Sequence, residues 1–219
     1  MKPVIVCSHG FGVRADDRGL FTDIQKGLGE TAEVVMFDYY DFDDESNELI
    51  VKPFREQEKI LEHQVDKVKL DFPGAPIIVV GHSQGCVIAA MADVRVKKMI
   101  MLTPAVNFNL ERLRQNFADR EGTIIDLDGI TRLARRDGSM TFVPSEYWPE
   151  FNSVDPIHKY MRLEDETELV IVRATEDEVL GMTEFPELNN TRIIDIKGDH
   201  NLSGDARAEV VDVIKKEIK

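Results

Sequence analysis

The chain has 219 residues, of which 42% are hydrophobic and 31% are charged, a balance typical of a folded globular protein rather than a disordered one. This length fits a single domain over 1–219, with room for one insertion. The net charge of −14 opposes contact with the phosphates of nucleic acids and with anionic membrane surfaces, so neither is expected as a partner.

The short apolar runs and the two cysteines bear on localisation. The first apolar run, close to the N-terminus, is too short for the core of a signal peptide. No stretch approaches the about 18 consecutive apolar residues that a transmembrane helix needs. Cys7 and Cys86 lie in apolar runs, without the spacing of a metal site or of a disulfide framework. We therefore expect a cytoplasmic protein with reduced, buried cysteines and no membrane insertion.

Six short apolar runs, several of them rich in valine and isoleucine, predict β-strands. They cover 3–9, 32–40, 75–81, 97–104, 168–175 and 191–198. Most are continuous rather than alternating, which is typical of strands buried on both faces of a parallel sheet. Segments with helical spacing occur over 20–28, 54–72 and 206–218. Strands that alternate with helices predict βαβ units and hence a parallel α/β sheet.

Two segments depart from this alternation. The acidic run DYYDFDDESNE, at 38–48, is most simply a solvated loop. The second segment, 105–163, has no clear strand of the same kind and contains a helix-like run that ends at Gly122. Connections this long are uncommon and usually either function or carry their own structure. We expect a lid inserted over one end of the sheet; the alternative is a subdomain without a role in binding.

The run GHSQG, at 81–85, matches the pattern G-x-S-x-G. It follows an apolar strand and opens a helix-like run, and this strand–turn–helix setting is what a nucleophile elbow requires. Glycine is needed on both sides because the turn is sharp and side chains there would clash with neighbouring backbone. Ser83 is therefore predicted to be a nucleophile; the alternative is a tight turn whose serine only caps the helix.

A serine hydroxyl needs a base that accepts its proton, and His200 has a suitable place for this role. It follows the last predicted strand, at the carboxyl edge where active sites of parallel α/β sheets gather. A surface histidine is the alternative. The base needs an anion to hold its tautomer, and the loop after the preceding strand offers Glu176, Asp177 and Glu178. We predict Asp177, with either glutamate as a substitute.

The oxyanion that develops on an attacked carbonyl needs preorganised donors. One predicted donor is the backbone amide of Gln84, at the start of the elbow helix. The other should come from the glycine-rich run HGFG at 9–12, where the amide of Phe11 is the natural donor. A phosphate-binding loop is the competing interpretation, but neither of the glycine patterns that define such loops is present.

The runs HGFG, GHSQG, TEDEV and GDH occur in this order, each after a predicted strand. With them the chain resembles the α/β-hydrolase superfamily, in particular its small esterase and acyl-hydrolase branch, which includes feruloyl-esterase-like enzymes with a lid insertion. The resemblance covers about 3–104 and 164–219. The residues to which it assigns the catalytic triad and the oxyanion hole are Ser83, Asp177, His200, Phe11 and Gln84.

The resemblance also implies a fold, with one departure from the family's usual sheet. Because the chain begins directly at the strand before the HGFG run, we expect no antiparallel strands ahead of it. The expected fold is a minimal, mostly parallel six-stranded sheet flanked by helices, with a lid insertion. Its predicted strand order is 2-1-3-4-5-6, with the strands numbered from the N-terminus.

These residues together predict a serine hydrolase that cleaves a carboxylic ester or thioester through an acyl-enzyme, with no metal or organic cofactor. Its expected partner is a small-molecule ester. The same triad could serve an amidase, a peptidase or a lyase, because the fold does not determine the chemistry. A non-catalytic binding module of the same fold is a further alternative, and the insertion could mediate a homodimer.

Two sets of side chains in the insertion bear on the substrate. Tyr147 and Trp148 are the aromatic residues that we expect to line an apolar acyl or aromatic pocket. The other aromatic candidates are Phe108, Phe117, Phe142 and Phe151. All of these could instead form the insertion's own small core. The second set consists of Arg112, Arg114, Arg120, Arg132, Arg135 and Arg136. These arginines either pair with local acids or bind a substrate that carries a carboxylate.

Overall fold

Residues 1–185 and 187–219 are described by the computed structural model, and within them the chain forms ten β-strands and seven α-helices. The strands are β1 (Val4–Ser8), β2 (Glu33–Met36), β3 (Asp41–Asp43), β4 (Glu48–Ile50), β5 (Ile77–His82), β6 (Lys98–Leu102), β7 (Ile130–Ala134), β8 (Met140–Pro144), β9 (Glu168–Ala174) and β10 (Arg192–Ile196). The helices are α1 (Leu20–Leu28), α2 (Phe54–Asp71), α3 (Gln84–Met91), α4 (Leu110–Phe117), α5 (Tyr147–Ser153), α6 (Pro156–Glu166) and α7 (Asp205–Glu217). No helix among the described residues is long and apolar enough to cross a membrane.

The central sheet contains six strands in the order β2-β1-β5-β6-β9-β10, and all its neighbouring strands are parallel. These strands correspond to the six apolar runs, so the predicted order 2-1-3-4-5-6 and the helix-flanked parallel sheet are confirmed. Because the strands are parallel, their carboxyl ends share one edge. The loops that follow β1, β5, β9 and β10 therefore meet there.

Apolar side chains alternate between the two faces of this sheet, which is why its strands are apolar throughout. On β1, Ile5 and Cys7 belong to a buried cluster with α1 and α7. Val4 and Val6 point to the opposite face and join a cluster with α2, α3 and α6. Burial of each such valine or isoleucine contributes about 1.5–3 kcal/mol. Both cysteines are free and buried in these clusters.

The prediction that 38–48 is a solvated loop holds only for the exposed turn at 44–47 and is wrong for the rest. Tyr39 and Tyr40 are buried, and Asp41–Asp43 and Glu48–Ile50 form the antiparallel pair β3–β4. Strand β4 pairs in parallel with β8, which gives a second sheet in the order β3-β4-β8-β7. The acidic side chains of Asp41 and Asp43 do face solvent. The local pattern shows this exposed side but not the distant partner strand that makes the run a strand.

The segment 105–163 folds into α4, the antiparallel pair β7–β8, α5 and α6. Helix α6 packs on α3 and leads into β9. The helix that was predicted to run to Gly122 ends earlier, at Phe117, and Gly122 has a left-handed φ of 86° in the turn beyond it. Residues of α4, of the β7–β8 turn and of α5 form one wall of a cleft. The carboxyl edge of the central sheet forms the other wall.

Candidate active site

Ser83 lies in the sharp turn between β5 and α3. Its φ of 51° is in a region that non-glycine residues rarely adopt, and such a conformation costs about 1–3 kcal/mol. The surrounding structure holds it: the Ser83 amide donates to the carbonyl of Leu102 at 3.0 Å. A side chain at Gly85 would overlap the carbonyls of Ser8 and His9, so only glycine lets α3 approach β1 this closely. The turn therefore presents the serine hydroxyl at the carboxyl edge of the sheet.

The structure brings Ser83, His200 and Asp177 together in one chain of hydrogen bonds. His200 Nε2 lies 3.0 Å from Ser83 Oγ, and His200 Nδ1 lies 2.8 Å from Asp177 Oδ2. Each residue comes from the loop after a different parallel strand: β5, β9 or β10. Because a carboxylate only accepts, Nδ1 carries the proton and Nε2 is left to accept from the serine hydroxyl.

Asp177 is held as a carboxylate by its surroundings. Burial alone would raise its pKa, but the hydrogen bond from His200 and the nearby imidazole outweigh burial and lower it. Two amide donors act in the same direction, from Val179 at 2.9 Å and Leu180 at 2.7 Å to Asp177 Oδ1. The side chain thus keeps both its charge and its orientation toward the imidazole.

The two glutamates that flank Asp177 do not reach the imidazole ring. Glu176 is exposed and lies 3.6 Å from Lys197 Nζ. Glu178 accepts the backbone amide of His200 at 3.1 Å, so it contacts the main chain of the histidine rather than its side chain. Of the three acids considered from the sequence, Asp177 is the one that bonds to the ring.

The loop after β1 is fixed against the elbow. The amide of Gly10 donates to Asp17 Oδ2 at 2.8 Å, and a Cβ at Gly10 would lie 3.4 Å from Ser83 Cβ. His9 supports the loop from behind: its Nδ1 donates to the Gly10 carbonyl at 2.9 Å, and its Nε2 accepts from the Tyr39 amide at 3.0 Å. Burial lowers the pKa of His9, consistent with this neutral tautomer. Phe11 follows directly and lines the cleft.

Gln84 begins α3 immediately after Ser83. The first amides of a helix have no intrahelical acceptor, so its N–H is available at the turn. Its side chain is held inside the protein, because Gln84 Oε1 accepts from the hydroxyl of Tyr147 at 2.6 Å and Nε2 donates to Gln57 Oε1 at 3.2 Å. Gln84 and Phe11 both line the cleft with Ser83.

A buried pair, Asp17 and His82, was missed from the sequence. His82 Nδ1 lies 2.7 Å from Asp17 Oδ2, and its Nε2 lies 3.0 Å from the carbonyl of His200. Both partners are acceptors, so both ring nitrogens donate and His82 is an imidazolium. Although burial would lower the pKa of His82, the Asp17 carboxylate outweighs burial and raises it. Conversely, burial would raise the pKa of Asp17, but the charge of His82 and its hydrogen bonds lower it.

The Asp17–His82 pair connects three parts of the site. Asp17 binds the Gly10 amide, His82 precedes Ser83 in the chain, and the ring of His82 holds the main chain of His200. Asp17 lies beside one other acid, Asp16, in the run RADDRG, and no spacing rule distinguishes the two. Adjacency to Ser83 was the only available signal for His82.

A cleft of about 1040 Å³ opens above Ser83 and His200. The aromatic residues of the insertion that line it are Phe108, Phe117, Tyr147 and Phe151. The expectation that Trp148 lines this pocket is not met: its side chain is buried behind Tyr147 and Phe151 and lies outside the cleft. In the part of the chain that the structure describes, no three His, Cys, Asp or Glu side chains are grouped as metal ligands.

Comparison with known proteins identifies the family. The chain matches the alpha/beta hydrolase family over residues 5–213. It belongs to this family. The resemblance predicted from the four motifs is thereby confirmed, and family membership supports hydrolase activity. No curated protein sequence matches the chain.

Solved structures share this fold at low sequence identity. Est1E from Butyrivibrio proteoclasticus with ferulic acid bound is 21% identical, with a TM-score of 0.67 over 99% of this chain and 88% of that chain. A malate-bound thermophilic esterase from Thermogutta terrifontis is 13% identical, with a TM-score of 0.63 over 100% and 89%. A monoacylglycerol lipase from Paleococcus ferrophilus is 14% identical, with a TM-score of 0.62 over 98% and 93%. At these identities the likeness concerns the fold and leaves the substrate open.

Proposed function

We propose that the chain is a serine hydrolase that cleaves a carboxylic ester or thioester, with Ser83 as nucleophile, His200 as general base and Asp177 as the acid that orients it. The observation that carries this proposal is the continuous hydrogen-bonded chain from Ser83 Oγ through the imidazole of His200 to Asp177. The fold alone would serve other chemistry. A base within bonding distance of the serine and an anion behind the base make this serine reactive.

The reaction then follows from the geometry. His200 Nε2 takes the proton of Ser83 Oγ as this oxygen bonds to the carbonyl carbon of the substrate. The tetrahedral intermediate collapses when the bond to the leaving group breaks, and His200 returns the proton to the departing alcohol or thiol. Water then attacks the acyl-enzyme while the same nitrogen takes one of its protons, and His200 passes this proton to Ser83 Oγ as the acid leaves.

The oxyanion of both intermediates is assigned to the amides of Phe11 and Gln84. One of these residues lies on the loop after β1 and the other at the start of α3, and both line the cleft with Ser83. Each such donor contributes about 10²–10³-fold to kcat in related chemistry. The Asp17–His82 pair acts as a positioning device, because it fixes the loop that carries Phe11 and the main chain of His200.

The segment 105–163 is proposed to act as the lid of this site. Its aromatic residues, Phe108, Tyr147 and Phe151, face the cleft beside Phe11, with ring centroids 5.7 Å apart for Phe11 and Tyr147. An apolar wall of this kind favours an aliphatic or aromatic acyl group over a strongly hydrated one. The lid also limits the access of water to the acyl-enzyme.

The direct test is the rate of hydrolysis of 4-nitrophenyl hexanoate by the wild type and by Ser83→Ala. The proposal predicts that Ser83→Ala loses at least about 10³-fold in kcat while its circular dichroism spectrum and melting temperature stay unchanged. Ser153→Ala is the matched control, because Ser153 is exposed at the end of α5, and it retains wild-type activity. Full activity in a folded Ser83→Ala variant would overturn the proposal.

A further inference from the structure

Five arginines line the cleft, although the protein as a whole carries a net charge of −14. They are Arg18, Arg112, Arg120, Arg135 and Arg136. Seven arginines elsewhere in the described residues form ion pairs with carboxylates, and none of those seven lines the cleft. Within the same residues, the cleft arginines have no carboxylate within ion-pair distance. Positive charge thus accumulates beside the proposed nucleophile without an ion-pair partner.

Four acids also line the cleft, but three of them are engaged elsewhere. Asp17 is paired with His82, and Glu178 accepts the amide of His200. Asp137 binds the amide and hydroxyl of Ser139 within its own turn, at 3.0 and 2.7 Å. The fourth acid, Asp119, is exposed and forms no ion pair with the cleft arginines. None of these acids therefore forms an ion pair with a cleft arginine, and Asp137 attracts Arg18 and Arg135 only from beyond that distance.

Arg135 is at the centre of this group. Its Nε donates to Thr141 Oγ1 at 2.9 Å, while its Nη2 is enclosed and lacks a hydrogen-bond partner among the described residues. The guanidinium carbon lies 5.2 Å from the ring centroids of both Phe11 and Phe117. Gly12 has a left-handed φ of 65°, and any side chain there would overlap the Arg135 guanidinium. The loop that supplies the proposed oxyanion amide is thus shaped around Arg135.

Arg135 stays charged although burial and its positively charged neighbours disfavour the charged form. Burial, together with the positive charges of Arg18 and Arg120, lowers the pKa of Arg135 to about 10, so the group is still protonated at neutral pH. A desolvated cation beside like charges destabilises a protein unless an anion compensates it. Among the described residues Asp137 attracts Arg135 from a distance, but no carboxylate forms an ion pair with it, whereas a ligand in the cleft would.

From this arrangement we infer that the cleft selects esters that carry a second, free carboxylate, which Arg135 binds with Arg120 and Arg18 beside it. The inference rests on the proposed esterase function and adds the substrate class. A guanidinium presents donors in a planar fork that matches a carboxylate, and its bonds are charge-assisted. The aromatic rings of Phe11 and Phe117 contact the apolar segment between the ester and the carboxylate. The substrate is therefore amphiphilic, with an apolar spacer and an anionic end.

The test compares 4-nitrophenyl hexanoate with the 4-nitrophenyl monoester of adipic acid, which has the same chain length and a terminal carboxylate. A second pair consists of 4-(hexanoyloxy)benzoate and its methyl ester. Its charged member carries the carboxylate on the leaving group. The wild type prefers the charged ester in kcat/KM in at least one pair, and the pair that shows it tells which side of the ester carries the carboxylate. Arg135→Gln lowers that charged-to-neutral ratio by about 10- to 100-fold.

Two further variants keep this experiment decisive. Arg120→Gln lowers the same charged-to-neutral ratio and replaces Arg135→Gln in the test if that variant folds poorly. Arg114→Gln is the matched control, because Arg114 lies on α4 but pairs with Glu111 outside the cleft, and it leaves the ratio unchanged. Hydrolysis without a preference for charge in either pair would overturn the inference and leave the proposed function standing. An equal loss in Arg114→Gln would also overturn it, because any arginine would then have the same effect.

A binding measurement separates the two proposals. Calorimetric titration of adipate into Ser83→Ala needs no turnover, and adipate binds there at least tenfold more tightly than to Ser83→Ala/Arg135→Gln. If adipate binds in this way but no ester is hydrolysed, the proposed function fails and the anion site remains. If neither adipate nor 4-hydroxybenzoate, the product from the leaving-group side, binds to Ser83→Ala, the anion site fails.

Discussion

The two walls of the cleft are built in different ways. On the sheet side, the polar groups around Ser83 are paired: Asp177 with His200, Asp17 with His82, and both pairs with backbone amides. On the insertion side, arginines face the cleft without carboxylate partners. From this difference we infer that the two walls have separate roles. The wall with paired polar groups performs the chemistry, and the wall whose arginines lack carboxylate partners binds the ligand.

This division predicts that substitutions on the sheet side lower the rate for every ester, whereas substitutions on the insertion side change the choice among esters. Asp177→Asn should have the largest effect on the sheet side. The amide cannot hold the Nδ1–H tautomer as a carboxylate does, so kcat falls by about 10⁴-fold for neutral and charged esters alike. Steady-state kinetics on both 4-nitrophenyl esters measures this loss. Glu176→Gln is the control, because Glu176 is exposed and does not reach the ring.

A changed preference between the two esters in Asp177→Asn would contradict the separate roles of the two walls, because a residue on the sheet side would then contribute to selectivity. Wild-type kcat in this variant would remove Asp177 from the proposed triad. In that case Glu178, which contacts the backbone of His200, would be the next acid to substitute.

The Asp17–His82 pair gives a smaller effect, seen first in stability. The pKa of Asp17 is lowered and that of His82 is raised in the folded protein. Their contribution to the free energy of unfolding is therefore full between the ordinary pKa values of 3.8 and 6.5. It declines as pH rises through the raised pKa of His82, or as pH falls through the lowered pKa of Asp17.

Urea unfolding at a series of pH values checks this sign. The free energy of unfolding of the wild type should decrease from pH 6.5 upward as His82 loses its proton, and His82→Gln should lack this part of the decrease. Asp17→Asn leaves a buried imidazolium without its anion and should lose about 3–5 kcal/mol at pH 6. A wild-type curve whose alkaline slope is identical to that of His82→Gln would show that His82 is not charged in the folded protein.

Most of the sheet side could be predicted from the sequence, because each of its strands has a recognisable local apolar pattern. Continuous apolar runs indicate strands buried on both faces, and the parallel arrangement then places the loops with Ser83, Asp177 and His200 at one edge. The insertion side depends on pairing between β4 and β8, which lie far apart in the chain. Its short, half-exposed strands have no apolar pattern strong enough to reveal that register.

The orientations of two individual side chains could not be predicted from the sequence either. Trp148 and Tyr147 are neighbours in one aromatic run, yet only Tyr147 lines the cleft, because the direction of α5 turns Trp148 toward the core. Asp17 is one of two adjacent acids in its loop, and only the folded chain shows that it lies against His82. Such orientations depend on tertiary packing and are not encoded in local spacing.

The central claim is that Ser83 forms the covalent acyl-enzyme. The most direct measurement is to label the protein with a fluorophosphonate and to locate the adduct by peptide mass spectrometry. The account predicts one adduct per chain, on the peptide that contains Ser83, and none after His200→Ala removes the base. An adduct on another serine, or active enzyme that takes up no label, would contradict it.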